Sequence, residues 1–171
     1  MIEYVSENFD NLLGQVVLPD FPVEIINPDN INVNDYLLKL KKIPSGLIDK
    51  FNQDGWKISI DYDKIVEFGK HYNVNCVGAT VISEKTIYIT NPNALLHEFG
   101  HYVCNKFYYA QDWVEAYKVE AQKAPMTAHC KSTPDEYFAE YFAKFISGKS
   151  KILQKMTPIT YEFFKRASAD W

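Results

Sequence analysis

His97 and His101, four positions apart with Glu98 directly after the first, are the residues of this sequence best suited to chemistry. On an α-helix, positions i and i+4 share one face. Both imidazoles can therefore reach one Zn2+ ion at about 2.0–2.1 Å, with room left for a third protein ligand and a water. Glu98 flanks the same rim, where its carboxylate can take a proton from a water polarised by the ion and later hand it to a leaving amine. The chemistry implied is metal-assisted hydrolysis of a peptide bond. The bland alternative is an accident of spacing on an ordinary amphipathic helix, and the flanking residues weigh against it.

Those flanks supply what a positioned helix needs. Thr86 to Thr90 reads as a strand, and Asn91-Pro92-Asn93 offers a turn and an N-cap. Leu95, Leu96, Phe99 and Val103 form an apolar side that would face the core while the histidines face a cleft. A third ligand can come from the segment Pro134 to Gly148, which has proline at its opening, acidic residues in its first turn and glycine at its close. It carries Glu136 and Glu140 on one face, among Tyr137, Phe138, Tyr141, Phe142 and Phe145. Carboxylates in aromatic surroundings either lie on a partly exposed polar stripe or are compensated by a metal and its histidines.

The remaining elements follow from periodicity and breakers. A short helix from Asn34 to Ile43 is stopped by Pro44, and a second runs on to Gly55. Trp56 to Asp61 alternates as a strand and Tyr62 to Tyr72 is helical. Val74–Ser83 and Lys85–Thr90 read as strands joined by a tight turn at Ser83-Glu84-Lys85. Gly78 marks a bulge or a close backbone approach, and Gly78, Ala79 and Thr80 are the candidate segment for receiving a substrate as an added strand. Asp112 to Ala124 is helical, residues 126–134 form an irregular loop holding His129 and Cys130, and a last helix opens near Pro158. Residues 1–35, broken by Pro19, Pro22 and Pro28, are expected to wrap the core in short extended pieces. The chain then divides into that wrap, a part at 36–109 with the sheet and active-site helix, and a helical part at 110–171 carrying the third ligand.

With 171 residues, 47% of them apolar, the chain can bury one core without staples. A net charge of −4 and the lack of a basic run argue against nucleic acid and anionic membrane as partners. No stretch is long enough to span a bilayer, and the first ten residues do not read as a signal peptide, which favours the cytoplasm. A removed signal peptide would leave the same sequence. Cys76, Cys104 and Cys130 fit reduced or structural thiols, and a monomer is expected.

The run His97-Glu98-Phe99-Gly100-His101, followed by Glu136-Tyr137-Phe138-Ala139-Glu140-Tyr141-Phe142, resembles the catalytic domain of anthrax lethal factor and the related secreted Pro-Pro endopeptidases. The likeness extends from about Pro44 to the C-terminus. It implies an α+β, zincin-like metallopeptidase domain with a small mixed or antiparallel sheet, an active-site helix and a C-terminal helical subdomain. It also implies Zn2+ as cofactor, a peptide or protein substrate and secretion. Carried over by position, His97 and His101 are zinc ligands, Glu98 is the general base, Glu136 is the third ligand and Glu140 orients a ligating histidine. One departure stands out: the family's tyrosine seven positions before the third ligand is His129 here. Its imidazole could donate a hydrogen bond to the developing oxyanion, with Tyr108, Tyr109 or Tyr137 as substitutes. His71 is read as structural. Two other readings are a cytosolic, repressor-cleaving metallopeptidase of a mobile element, whose pattern Glu140 and Tyr141 do not follow, and a non-catalytic zinc-binding toxin-accessory domain.

Overall fold

The computed structural model describes residues 23–107 and 110–171. The expected wrap at residues 1–22 and the candidates Tyr108 and Tyr109 lie outside the described residues.

A sheet of four short strands forms one layer. These are β1 (Ile25–Ile26), β2 (Lys57–Ser59), β3 (Gly78–Val81) and β4 (Thr86–Ile89), in the order β1-β2-β4-β3. β1, β2 and β4 are parallel, and β3 runs antiparallel to β4, so the sheet is mixed. All four residues of β4 are buried, as a strand with a neighbour on each edge and helices nearby requires. β3 is an edge strand. The strand expected over Val74–Ser83 is shorter than alternation suggests: residues 74–77 are irregular, and a 3-10 turn at 82–84 with Lys85 at φ 49° makes the connection to β4.

The helices are α1 (Asn34–Leu40), α2 (Ser45–Gln53), α3 (Tyr62–Tyr72), α4 (Leu95–Phe107), α5 (Gln111–Glu120), α6 (Pro134–Ile146), α7 (Ser150–Met156) and α8 (Pro158–Ala167). α1 ends at Leu40, short of the expected Ile43, as the chain turns before Pro44 with the Ile43 amide bonded to the Leu40 carbonyl. α7 has no counterpart among the expected elements. Its seven residues include one fully buried apolar side chain, Leu153, too little for a legible stripe. Of the described helices, none is long and apolar enough to cross a membrane.

Two aromatic clusters fix α4, which bears the histidines, and α6, which bears the glutamates. On one side Phe99 stacks on Phe51 at 5.0 Å and meets Tyr102 edge-on at 5.2 Å. On the other, Phe99 faces Phe142 of α6 at 6.1 Å. Leu95, Phe99 and Val103 are fully buried, each worth about 1.5–3 kcal/mol, so the apolar face of α4 is held by the core. A second cluster, Trp113 with Tyr137, Phe138, Phe163 and Phe164, ties α5 and α8 to α6. Buried Glu120 at the end of α5 accepts the amides of Ile159 and Thr160 at 3.0 and 2.8 Å, satisfying the first turn of α8. α5 ends there, with a 3-10 turn at 121–123 in place of the expected last turn.

Candidate metal centre

α4 packs most extensively against α6. The crossing is close because Gly100 has no side chain: a Cβ there would lie 2.7 Å from Ala139 Cα and 2.8 Å from its carbonyl oxygen. His97 and His101 flank Gly100, and Glu136 and Glu140 flank Ala139, so this contact brings the two pairs face to face. Thr133 caps α6, its hydroxyl accepting from the Glu136 amide at 3.2 Å, with Pro134 in the first turn.

His97 Nε2 lies 3.2 Å from Glu136 Oε2, and His101 Nε2 lies 3.7 Å from Glu136 Oε1. Ligating atoms of these three residues all fall within 4.8 Å of one another. Ligands 2.0–2.1 Å from a tetrahedral ion stand about 3.3–3.4 Å apart, so the donor set and its spacing fit Zn2+. Glu140 Oε2 is 3.3 Å from His97 Nδ1, on the far side of the ring from Glu136, and its Oε1 accepts from Lys144 Nζ at 2.9 Å. His129 stands on the rim in a 3-10 turn at 129–131, largely exposed, with Nε2 3.3 Å from Glu136 Oε2. The structure thus brings His97, Glu98, His101, His129, Glu136 and Glu140 to one place.

Glu98 is buried, and its Oε2 accepts from the Thr80 hydroxyl at 2.9 Å; the same hydroxyl is 2.9 Å from the Glu98 carbonyl. Gly78 abuts Glu98 as closely as a residue can: a Cβ would meet its Cγ and Oε1 at 2.8 Å. Of the two readings of Gly78, close approach is the one realised, and its neighbour is Glu98. Thr80 supports Glu98 through its side chain, a contact with no local sequence signal because the residues are 18 apart. Thr90 N–H donates to Val77 O at 3.0 Å, making these a bonded antiparallel pair. By alternation Ala79 pairs with Tyr88, and the main-chain groups of Gly78 and Thr80 turn to the edge of β3 that no described strand pairs, where Gly78 O accepts from the Cys76 thiol at 3.0 Å.

The charges are strongly coupled. Burial opposes a proton on His97, but hydrogen bonds to Glu136 and Glu140 and the charge of Glu98 outweigh it and push the imidazole up to about 10. Burial, then the charge on His97, pushes His101 down to about 4. Burial raises the Glu98 carboxyl above its usual range, against the pull of His97 and Thr80. For Glu140, burial is outweighed by the bonds from His97 and Lys144, which hold it down to about 2. Glu136 is lowered, with His97 and His101 again overcoming burial.

A cleft of about 950 Å³ runs over these groups, bordered by β3, residues 74–77 and Ile82 on one side and by His129 and Asp135 on the other. Tyr137, a candidate for stabilising an oxyanion, is corrected by the structure. It is fully buried, stacked on Trp113, with its hydroxyl 3.1 Å from Thr160 Oγ1 and away from the cleft. His71 is an exposed residue of α3 beside Tyr72, apart from the site. Cys104 is buried beside Asp135, and Cys130 joins His97 and Glu140 in a second group with ligand atoms within 4.8 Å.

Residues 62–167 match the family described as anthrax toxin lethal factor, N- and C-terminal domain. Among curated proteins none matches the sequence. Among solved structures, the fold is similar to that of the Pro-Pro endopeptidase from Paenibacillus alvei, with a TM-score of 0.60 at 18% identity. The alignment covers 84% of this chain and 96% of that one. The likeness is one of fold, an α+β zincin-like domain with a small mixed sheet.

Proposed function

The chain belongs to the anthrax toxin lethal factor domain family, and from that premise and the geometry of the cleft we propose that it is a zinc-dependent endopeptidase. The observation that carries the reading is the meeting of His97, His101 and Glu136 beside buried Glu98, in a cleft bordered by the edge strand of the described sheet. His97, His101 and Glu136 would hold the ion. A zinc ion bound there supplies Lewis acidity toward water and the scissile carbonyl.

The remaining work belongs to side chains of this chain. A peptide lying along β3 would bond through its main chain to the outward groups of Gly78 and Thr80, with Ala79 between them in the strand. That places its carbonyl over the site without demanding a particular side chain. Glu98, held by Thr80 and close under Gly78, takes a proton from the attacking water at its carboxylate and delivers it to the departing amine nitrogen. Burial raises its carboxyl above the usual carboxylate range, which favours holding the proton between the two transfers. Exposed His129, 3.3 Å from Glu136, would donate from its ring nitrogen to the oxygen that gains charge as the carbonyl is attacked. Glu140 bonds Nδ1–H of His97 and so presents Nε2 to the ion.

The test is a broad peptide library, Pro-Pro sequences included, with the parent chain, the chelator-treated chain and E98Q. Cleavage should be lost on chelation and restored by zinc, while E98Q should bind zinc as the parent does and cleave nothing. Cleavage by E98Q would refute the assignment of the base. Equimolar zinc with no cleavage of any peptide by the parent would favour the binding-domain alternative.

A further inference from the structure

Building on the zinc-site reading, we propose that Lys144 is a positioning residue that commits His97 to the His101–Glu136 donor set and keeps metal out of a rival set. Among the described residues, two groups could hold an ion, and both use His97. One adds His101 and Glu136; the other adds Cys130 and Glu140. By donor chemistry alone the second is no weaker, because a thiolate is a favoured zinc ligand. Something else must choose between them.

The difference lies in how the two carboxylates of α6 are already engaged. Glu136 faces three ring nitrogens, those of His97, His101 and His129 at 3.2, 3.7 and 3.3 Å, and no lysine or arginine among the described residues pairs with it. Glu140 Oε1 is held by Lys144 Nζ at 2.9 Å, and its Oε2 faces His97 Nδ1 at 3.3 Å. Lys144 follows Glu140 by four positions on the same helical face, and the pair is only about one-fifth exposed, so solvent screens it less than a surface pair. The ammonium does two things there. It repels a cation approaching Glu140 and Cys130, and by holding Oε1 it orients Glu140 with Oε2 toward Nδ1 of His97. Nδ1 of His97 is thereby engaged, which leaves Nε2, the atom 3.2 Å from Glu136, as the one that would ligate the ion.

The experiment compares the parent chain with K144M, K144Q and K144R, each with and without C130S. Zinc affinity is read by competition with a chromophoric chelator, and the donor set by the thiolate-to-metal charge-transfer absorption of the Co2+ form. Circular dichroism reads folding, and two uncharged variants guard against losing one to misfolding. The parent should show no thiolate band. K144M and K144Q should bind zinc about tenfold more weakly, the scale expected when support of a ligand is removed, and their Co2+ forms should gain a thiolate band that C130S abolishes. K144R should behave as the parent. Uncharged variants with parental affinity, or weakened without the band, overturn the proposal, as does a band in the parent. A parent that binds no zinc at all is a separate result and sinks the zinc-site reading itself.

Discussion

Replacing Gly100 by alanine sets two effects of opposite sign against each other. Helix propensity alone favours the change by about 0.5–1 kcal/mol, since glycine in a helix interior loses more chain freedom on folding. Packing opposes it. The new Cβ would lie 2.7, 2.8 and 3.1 Å from the Cα, carbonyl oxygen and carbonyl carbon of Ala139, and none of these backbone atoms can rotate aside. Restoring the nearest to 3.4 Å, the near limit of ordinary contact, requires α4 and α6 to part by 3.4 − 2.7, about 0.7 Å. Overpacking of this kind costs about 1–3 kcal/mol, so G100A should be destabilised by up to about 2.5 kcal/mol net. The same displacement acts on the site, because Gly100 lies between the two histidines and Ala139 between the two glutamates. The 3.2 Å gap from His97 to Glu136 would open to about 3.9 Å, past the spacing of about 3.3–3.4 Å that zinc ligands keep and beyond a tolerance of about 0.5 Å. Zinc affinity should fall by about tenfold or more, equivalent to ~1.4 kcal/mol. Urea unfolding of the metal-free protein and a zinc competition titration measure the two consequences separately. A G100A protein that gains stability and binds zinc as the parent does would refute the claim that this crossing sets the ligand spacing.

Two further perturbations bear on chemistry and stability. In G78A the obstructed atoms belong to the buried Glu98 side chain, Cγ included, so its bond with Thr80 is lost: urea stability should fall by about 1–3 kcal/mol and peptide cleavage at least tenfold with zinc retained; unchanged cleavage would show that Glu98 does not work from its observed position. Asp54 gives the pH dependence: its carboxyl is lowered chiefly by the hydrogen bond from Lys106, with Tyr102 also donating, despite some burial. A depressed folded value means the contribution is present above the unfolded range of about 4 and is lost as pH falls through the lowered folded value. The stability gap between the parent and D54N, read by urea unfolding, should therefore narrow as the solution is acidified, and a gap that widens in acid would contradict the assigned direction.

The parts of the site legible in the sequence are those fixed by helical spacing. His97 and His101 share a face because they are four apart, and Glu136 and Glu140 do so for the same reason. The apolar residues Leu95, Phe99 and Val103 determine which face of α4 is buried, and all three are fully buried. Helix limits were less legible where a long-range partner intervenes. α5 stops at Glu120 because that carboxylate is spent on the α8 amides 39 and 40 residues away. The buried ring of Tyr137 shows the same limit: an aromatic next to a ligand position is equally compatible with cleft and core, and its contact with Trp113 decides.

Spacing is also silent on which of two equivalent carboxylates the histidines converge on. Glu136 and Glu140 occupy the same helical phase, both reach His97, and both are held below the usual carboxyl range. Their roles diverge only through what lies beyond them. His101 and His129 converge on Glu136, whereas Lys144 claims an oxygen of Glu140. The Glu140–Lys144 step is itself four residues and readable as a helix-surface ion pair, a feature worth little where solvent screens it. Here the pair is only about one-fifth exposed, on the helix that Gly100 and Ala139 allow to meet α4. A glycine thus shapes the site without contributing a charge, by letting the helices that carry the two histidines and the two glutamates meet.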